Sequence, residues 1–127
     1  MPIRVLLADD AQMMREAIRR LLEREPGVEL VGEAADFAQT IRMAKDLKPQ
    51  VIVMDLHMPR AGNLDIKSHL NGGSRLLAIS ISNDEEAKIL AESFGAATLL
   101  DKMDLYNELI PAIMRLALPN ASAATIQ

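Results

Sequence analysis

The sequence predicts an α/β fold, a five-stranded parallel sheet with helices on both faces. Two observations carry this. Apolar runs of strand length alternate with patches of helical period five times along the chain, and short crossovers between parallel strands need intervening helices. The run "VIVMD" (51–55) adds a third: four apolar residues lead straight into an aspartate, then a histidine and a proline, in "VIVMDLHMP" (51–59). A carboxylate ending a buried strand is costly unless something uses it.

Taken in order, "IRVLLA" (3–8) reads as a buried strand. "AQMMREAIRRLLER" (11–24) repeats Met14, Ala17, Ile18, Leu21 and Leu22 at helical spacing before Pro26-Gly27. "VELVGEA" (28–34) alternates as a strand should. Phe37, Ile41, Ala44 and Leu47 mark a second helix that Asp36 can cap and Pro49 closes. "VIVMD" is the third strand, followed by a loop and a short helix over 64–71, stopped by Gly72-Gly73. "RLLAIS" (75–80) is the fourth strand. Ser82 with Glu85, or Asn83 with Glu86, can cap a helix carrying Ala87, Leu90, Ala91 and Phe94, ended by Gly95. "ATLL" (97–100) and "DLYNELIPAIMRLAL" (104–118) complete the fifth pair, with a kink expected at Pro111.

The chain has 127 residues, half of them hydrophobic and a quarter charged, which fits one soluble domain over 1–118. Residues 119–127, "PNASAATIQ", read as a flexible tail or the start of a linker. No apolar run approaches a membrane span, and "MPIRVLLADD" meets acid too early for a signal peptide, so a cytoplasmic protein is expected. Cysteine is absent, which removes disulfides and thiolate metal sites. A net charge of -4 and three aromatics argue against direct nucleic-acid binding by this segment.

In open parallel sheets, ligands bind beyond the carboxyl ends of the strands. Here strand one ends on Asp9-Asp10, strand three on Asp55 and strand four on Ser80, and Lys102 comes two residues after strand five. Each has a bland reading: an Asp-Asp pair before a helix is an N-cap plus a solvated neighbour, Ser80 a turn residue, and Lys102 an exposed lysine. Together, three carboxylates at one edge would repel unless a cation sits among them. Oxygen-only ligands suit a hard ion, Mg²⁺ first. The set looks like a phosphoryl site. A carboxylate can attack phosphorus to give an acyl phosphate, and Asp55, ending the most apolar strand, is the expected nucleophile. Asp9 and Asp10 would share the cation. Mg²⁺ and Lys102 would neutralise the phosphoryl oxygens, and Ser80 would hydrogen-bond one of them.

These residues resemble the receiver domain of two-component response regulators. The resemblance covers 3–118 and rests on "LLADD", "VIVMDLHMP", "AISIS" and "GAATLLDK", in the family's order. It implies strand order 2-1-3-4-5, the flavodoxin-like arrangement. It implies Asp55 as phosphoacceptor, Asp9 and Asp10 as the acidic pair with Asp10 the direct Mg²⁺ ligand, Ser80 as switch hydroxyl and Lys102 as the family's lysine. The His57 backbone carbonyl would complete the metal's protein ligands. The phosphoryl donor would be a sensor histidine kinase or a small phosphodonor, within a phosphorelay. The output face would be helix four, strand five and helix five, through which a homodimer can form. "VELVGEA" and "SISNDEEA" are closest to receivers that precede a helix-turn-helix DNA-binding domain, which implies transcription regulation as the output.

Some positions depart from the family's pattern. Leu99 stands where an aromatic switch residue is usual, three before the lysine, and Asn63 replaces the loop glycine. The third helix region is short by about a turn, and Pro111 is unusual in the last helix. His57 would set the lifetime of the phosphoaspartate or else simply face solvent, and Ser82 raises the same question. His69 has no evident partner, and the eight methionines fill core gaps. The expected function is a phosphorylatable switch, not an enzyme in its own right. The alternatives are a binding module that signals without phosphate and an Asp-nucleophile phosphatase. The latter typically has a second acid two residues on and a threonine at four, where this chain has His57 and Pro59.

Overall fold

The structure, a computed structural model, describes residues 1–59, 65–70 and 72–118. The apolar runs form β1 (Ile3–Ala8), β2 (Val28–Ala34), β3 (Val51–Asp55), β4 (Arg75–Ser80) and β5 (Thr98–Asp101). The helical patches form α1 (Gln12–Glu23), α2 (Phe37–Leu47), α3 (Ile66–His69), α4 (Glu85–Ser93) and α5 (Leu105–Ala117). All strand pairings are parallel, and the sheet order is β2-β1-β3-β4-β5, as expected.

Strand side chains alternate between faces, and both faces are covered. Leu6, Ala8, Ile52, Met54, Leu76 and Ala78 pack under α2, α3 and α4. Val5, Leu7, Val51, Val53, Leu77 and Ile79 pack under α1 and α5. Every residue of β3 is buried, which is why its sequence runs apolar without alternation. On the first face, the rings of Phe37 and Phe94 meet edge to face, centroids 5.6 Å apart. This joins α2 to the end of α4 over a one-turn α3 that contributes Ile66 and Leu70 to the core.

The register of β1 against β2 slips once. Val5 pairs with Leu30 but Leu6 pairs with Gly32, so Val31 is an extra residue. The slip exchanges the faces of β2. Val28 lies in the α1/α5 core, whereas Ala34 lies in the α2 core. Gly32 also turns toward α2: a Cβ there would come within 2.6 Å of Met43 Cε and 2.9 Å of Leu47 Cδ1.

Several local expectations need correction. The N-cap of α4 is Asp84, whose side chain accepts from Ala87 N–H at 3.0 Å, and neither Ser82 nor Asn83 takes that place. Ser82 lies one step earlier, its hydroxyl accepting Asp84 N–H at 3.2 Å. Strand β5 extends to Asp101, which pairs with Ser80, so Lys102 follows the strand directly in a 3₁₀ turn, Lys102–Asp104. The short third helix is confirmed as Ile66–His69, capped by Asp65, and its expected limits at 64 and 71 lie outside the described residues. Asn63 and the tail at 119–127 lie outside them too. Helix α5 runs through Pro111 as one element. Pro111 and Asn107 both lie on the exposed face, where water can take the carbonyl that proline leaves unpaired. Among the described residues no helix is long and apolar enough to cross a membrane.

Candidate functional site

Parallel strands place their carboxyl ends on one edge, and the polar residues at those ends meet there. Asp9 follows β1, fully buried, with its N–H bonded to Ala34 O on β2 at 3.0 Å. It does not cap α1: the N-cap is Ala11, which makes no side-chain cap bond. Instead Asp9 Oδ1 accepts Ala11 N–H at 2.9 Å, and the Arg15 guanidinium donates to the Asp9 carbonyl. The bland reading of the acidic pair therefore fails for Asp9, whose carboxylate is turned inward. Asp10 is exposed, as a solvated neighbour would be, but its carboxylate stays within the cluster.

Asp55 ends β3 and is 4% exposed. Its Oδ1 accepts the His57 N–H at 3.1 Å, and its Oδ2 lies 3.4 Å from Lys102 Nζ. The same ammonium is 2.9 Å from Asp9 Oδ2. That oxygen is buried and, despite the close ion pair, has no hydrogen bond of good geometry. Lys102 thus spans two carboxylates. Burial pushes the Asp55 carboxyl above its ordinary value, and the nearby Asp9 adds to this. The His57 N–H and Lys102 oppose the rise without cancelling it. Burial works against the Lys102 ammonium, but contact with Asp9 and the charges of Asp55 and Asp9 outweigh it and hold its pKa above the ordinary value.

Carboxylate oxygens of Asp9, Asp10 and Asp55 lie within 4.8 Å of one another. Three carboxylates drawn together, with one oxygen of Asp9 buried without a hydrogen bond, fit a hard divalent cation. The donor set is consistent with Mg²⁺.

Ser80, fully buried at the end of β4, faces the same edge. Its Oγ accepts the Ser82 N–H at 3.2 Å and lies 3.2 Å from His57 Nε2. The His57 ring is exposed yet not idle, since it reaches this hydroxyl. Sequence reasoning missed that contact. The two residues are 23 apart, and only the pairing of β3 with β4 brings their loops together. Leu99 is not brought to the site. It is half-buried on β5, packed against the α2/α3/α4 core, and lines a groove with Lys88 and Ile89 of α4. His69 is exposed near Asp65 at the end of α3, away from the acidic edge.

The family model described as response regulator receiver domain matches residues 5–114. The chain is 34% identical over 119 residues to the nitrate/nitrite response regulator protein NarL of Escherichia coli, covering 91% of this chain and 55% of that protein. It is 37% identical over 123 residues to a protein-glutamate methylesterase/protein-glutamine glutaminase of Anaeromyxobacter dehalogenans, covering 91% of this chain and 36% of that one. The chain therefore spans about a third to a half of these relatives. Among solved structures, it is similar to a LuxR-family two-component response regulator from Aurantimonas sp., with TM-score 0.82 and 32% identity over 92% of this chain and 86% of that one. The signal receiver domain of a NarL response regulator from Mycobacterium tuberculosis matches with TM-score 0.82 and 28% identity, covering 93% of this chain and 98% of that one.

Proposed function

Because the chain belongs to the response regulator receiver family, we propose that it is a phosphorylatable signalling switch whose phosphoacceptor is Asp55. The observation that carries this is the pairing of a buried, strand-held Asp55 with Lys102 at 3.4 Å, beside the Asp9/Asp10 carboxylates. The nucleophile is the Asp55 carboxylate. It forms an oxygen–phosphorus bond as the donor's bond to phosphorus breaks, and the leaving group takes up a proton from solvent. The His57 N–H and Lys102 fix the carboxylate's orientation from either side. Lys102 places positive charge where phosphoryl oxygens would lie, and Ser80 O–H can donate to one of them. Asp9, Asp10 and Asp55, with the His57 carbonyl, would hold Mg²⁺, which when bound neutralises phosphoryl charge.

The donor we favour is a sensor histidine kinase or a small phosphodonor. The output face would be α4, β5 and α5, where Ile89 and Tyr106 stand exposed and a homodimer could form. The esterase activity in one relative's name stays with that protein, of which this chain spans 36%. Incubation with acetyl phosphate and Mg²⁺, read by intact mass, tests the reading. One added phosphoryl group is expected, lost in Asp55→Ala and with chelator present. No adduct, or an adduct that survives Asp55→Ala, would sink it.

A further inference from the structure

A serine hydroxyl has one proton to give and two lone pairs to accept with. At Ser80 Oγ one lone pair receives the Ser82 N–H, and His57 Nε2 is the other neighbour. If Nε2 accepts, the Ser80 proton is committed to the ring. If that proton turns to a phosphoryl oxygen on Asp55, the ring must present an N–H to the hydroxyl or leave it. Either way the ring cannot stay as it was.

The ring stands in a place where its position can be read. His57 lines a surface groove with Ile81, Ser82, Asp84, Ile89 and Leu90, so it sits against the first turns of α4. Among the described residues, no other side chain is hydrogen-bonded to the Ser80 hydroxyl. Leu99 has no polar atom, is half-buried, and packs into the α2/α3/α4 core. The loop itself is tied down: Ser80 holds Ser82, and Ser82 holds the N–H of Asp84.

We propose that His57 is a positioning residue that carries the state of the Ser80 hydroxyl to the α4 groove. It acts through the hydroxyl and not on phosphorus. The proposal rests on the reading of Asp55 as phosphoacceptor. When Ser80 donates toward Asp55, His57 loses or reverses its hydrogen bond, and the groove walled by Ile89 and Leu90 changes shape. A receiver that lacks an aromatic at position 99 would then still link its acidic edge to its surface.

The test uses the full chain with Mg²⁺ and beryllofluoride, a phosphoryl mimic whose bound signal in fluorine NMR shows the adduct. The readout is the methyl signals of Ile89 and Leu90. In the wild type these are expected to shift on adduct formation. His57→Ala should still show bound fluoride, which also proves a folded site, yet lose most of the methyl shift. His57→Gln, whose amide can reach the hydroxyl, should restore it. Methyl shifts of wild-type size in fluoride-bound His57→Ala, or no shift in the fluoride-bound wild type, would overturn the proposal. So would loss of bound fluoride in His57→Ala, since His57 would then be part of the binding site. Absence of bound fluoride in the wild type would overturn the phosphoacceptor reading itself, and the coupling with it.

Discussion

As the proposed phosphoacceptor, Asp55 meets two opposed demands: it must be buried to be held rigidly, and it must be ionised to attack. Burial raises its pKa above the ordinary 3.8, and Asp9 adds to the rise. A carboxyl whose folded value lies above its unfolded one gives stability that is present below about 3.8 and lost as pH rises through the folded value. Asp55→Asn should therefore stabilise the metal-free protein at neutral pH, by on the order of 1 kcal/mol or about 4 °C in Tm. The gain should vanish as pH falls toward 4. Thermal melts in chelator across that range check both sign and window, and a variant less stable than wild type at pH 7 would contradict the electrostatic account. Mg²⁺ in excess should reverse the order. An ion that binds only the folded state stabilises in proportion to its saturation, so if the acidic cluster takes Mg²⁺ as proposed, wild type should gain in Tm while Asp55→Asn and Asp10→Asn gain little. Lys102 has the matching sign: its contribution is fully present below its ordinary 10.5 and is lost as pH rises through its raised value.

The helices show how far local signals reach and where they stop. Asp36 caps α2 as its spacing from the apolar stripe predicts, accepting Gln39 N–H at 2.7 Å. For α4 the stretch "SISND" offers three capping side chains within three residues, and composition alone does not rank them. The geometry does, because Ser82 is drawn toward Ser80 and leaves Asp84 at the helix start. Asp84→Ala should cost about 1 kcal/mol in chemical denaturation, and Ser82→Ala only a few tenths. Equal losses, or a larger one at Ser82, would return the cap to the serine. The other end of α2 has a different weakness. Lys48 closes it with φ +48°, a left-handed conformation that costs an L-residue about 1–2 kcal/mol. Lys48→Gly should stabilise by up to about 1 kcal/mol in urea, because Arg4 bonds the carbonyl of this residue and not its side chain.

Across the whole molecule, both cores hang on one sheet, so a cavity in either should weaken the entire fold. Leu109→Ala, at a fully buried position of α5, should cost about 2–5 kcal/mol. Circular dichroism and methyl NMR should report one coincident unfolding transition. The sheet order, both helical layers and the four buried or half-buried site positions Asp9, Asp55, Ser80 and Lys102 were legible beforehand, because strand-length apolar runs ending in polar residues determine where those ends lie. The inward turn of Asp9, the bridge from His57 to Ser80 and the slip at Val31 were not, since each depends on which strands become neighbours. That slip bears on how the chain can change in length. With Val31 in place, Glu33 faces α1, where Arg19 Nε meets it at 2.7 Å and Arg15 approaches to 3.5 Å. Remove that one residue and the strand returns to phase. Leu30 and Gly32 would then follow each other opposite Val5 and Leu6, and Glu33 would keep its place opposite Leu7, facing α1 and both arginines. A single-codon deletion there shortens an edge strand without turning any later side chain to the other face, so it should do less harm than the loss of one residue from β3, whose pairings hold no extra residue.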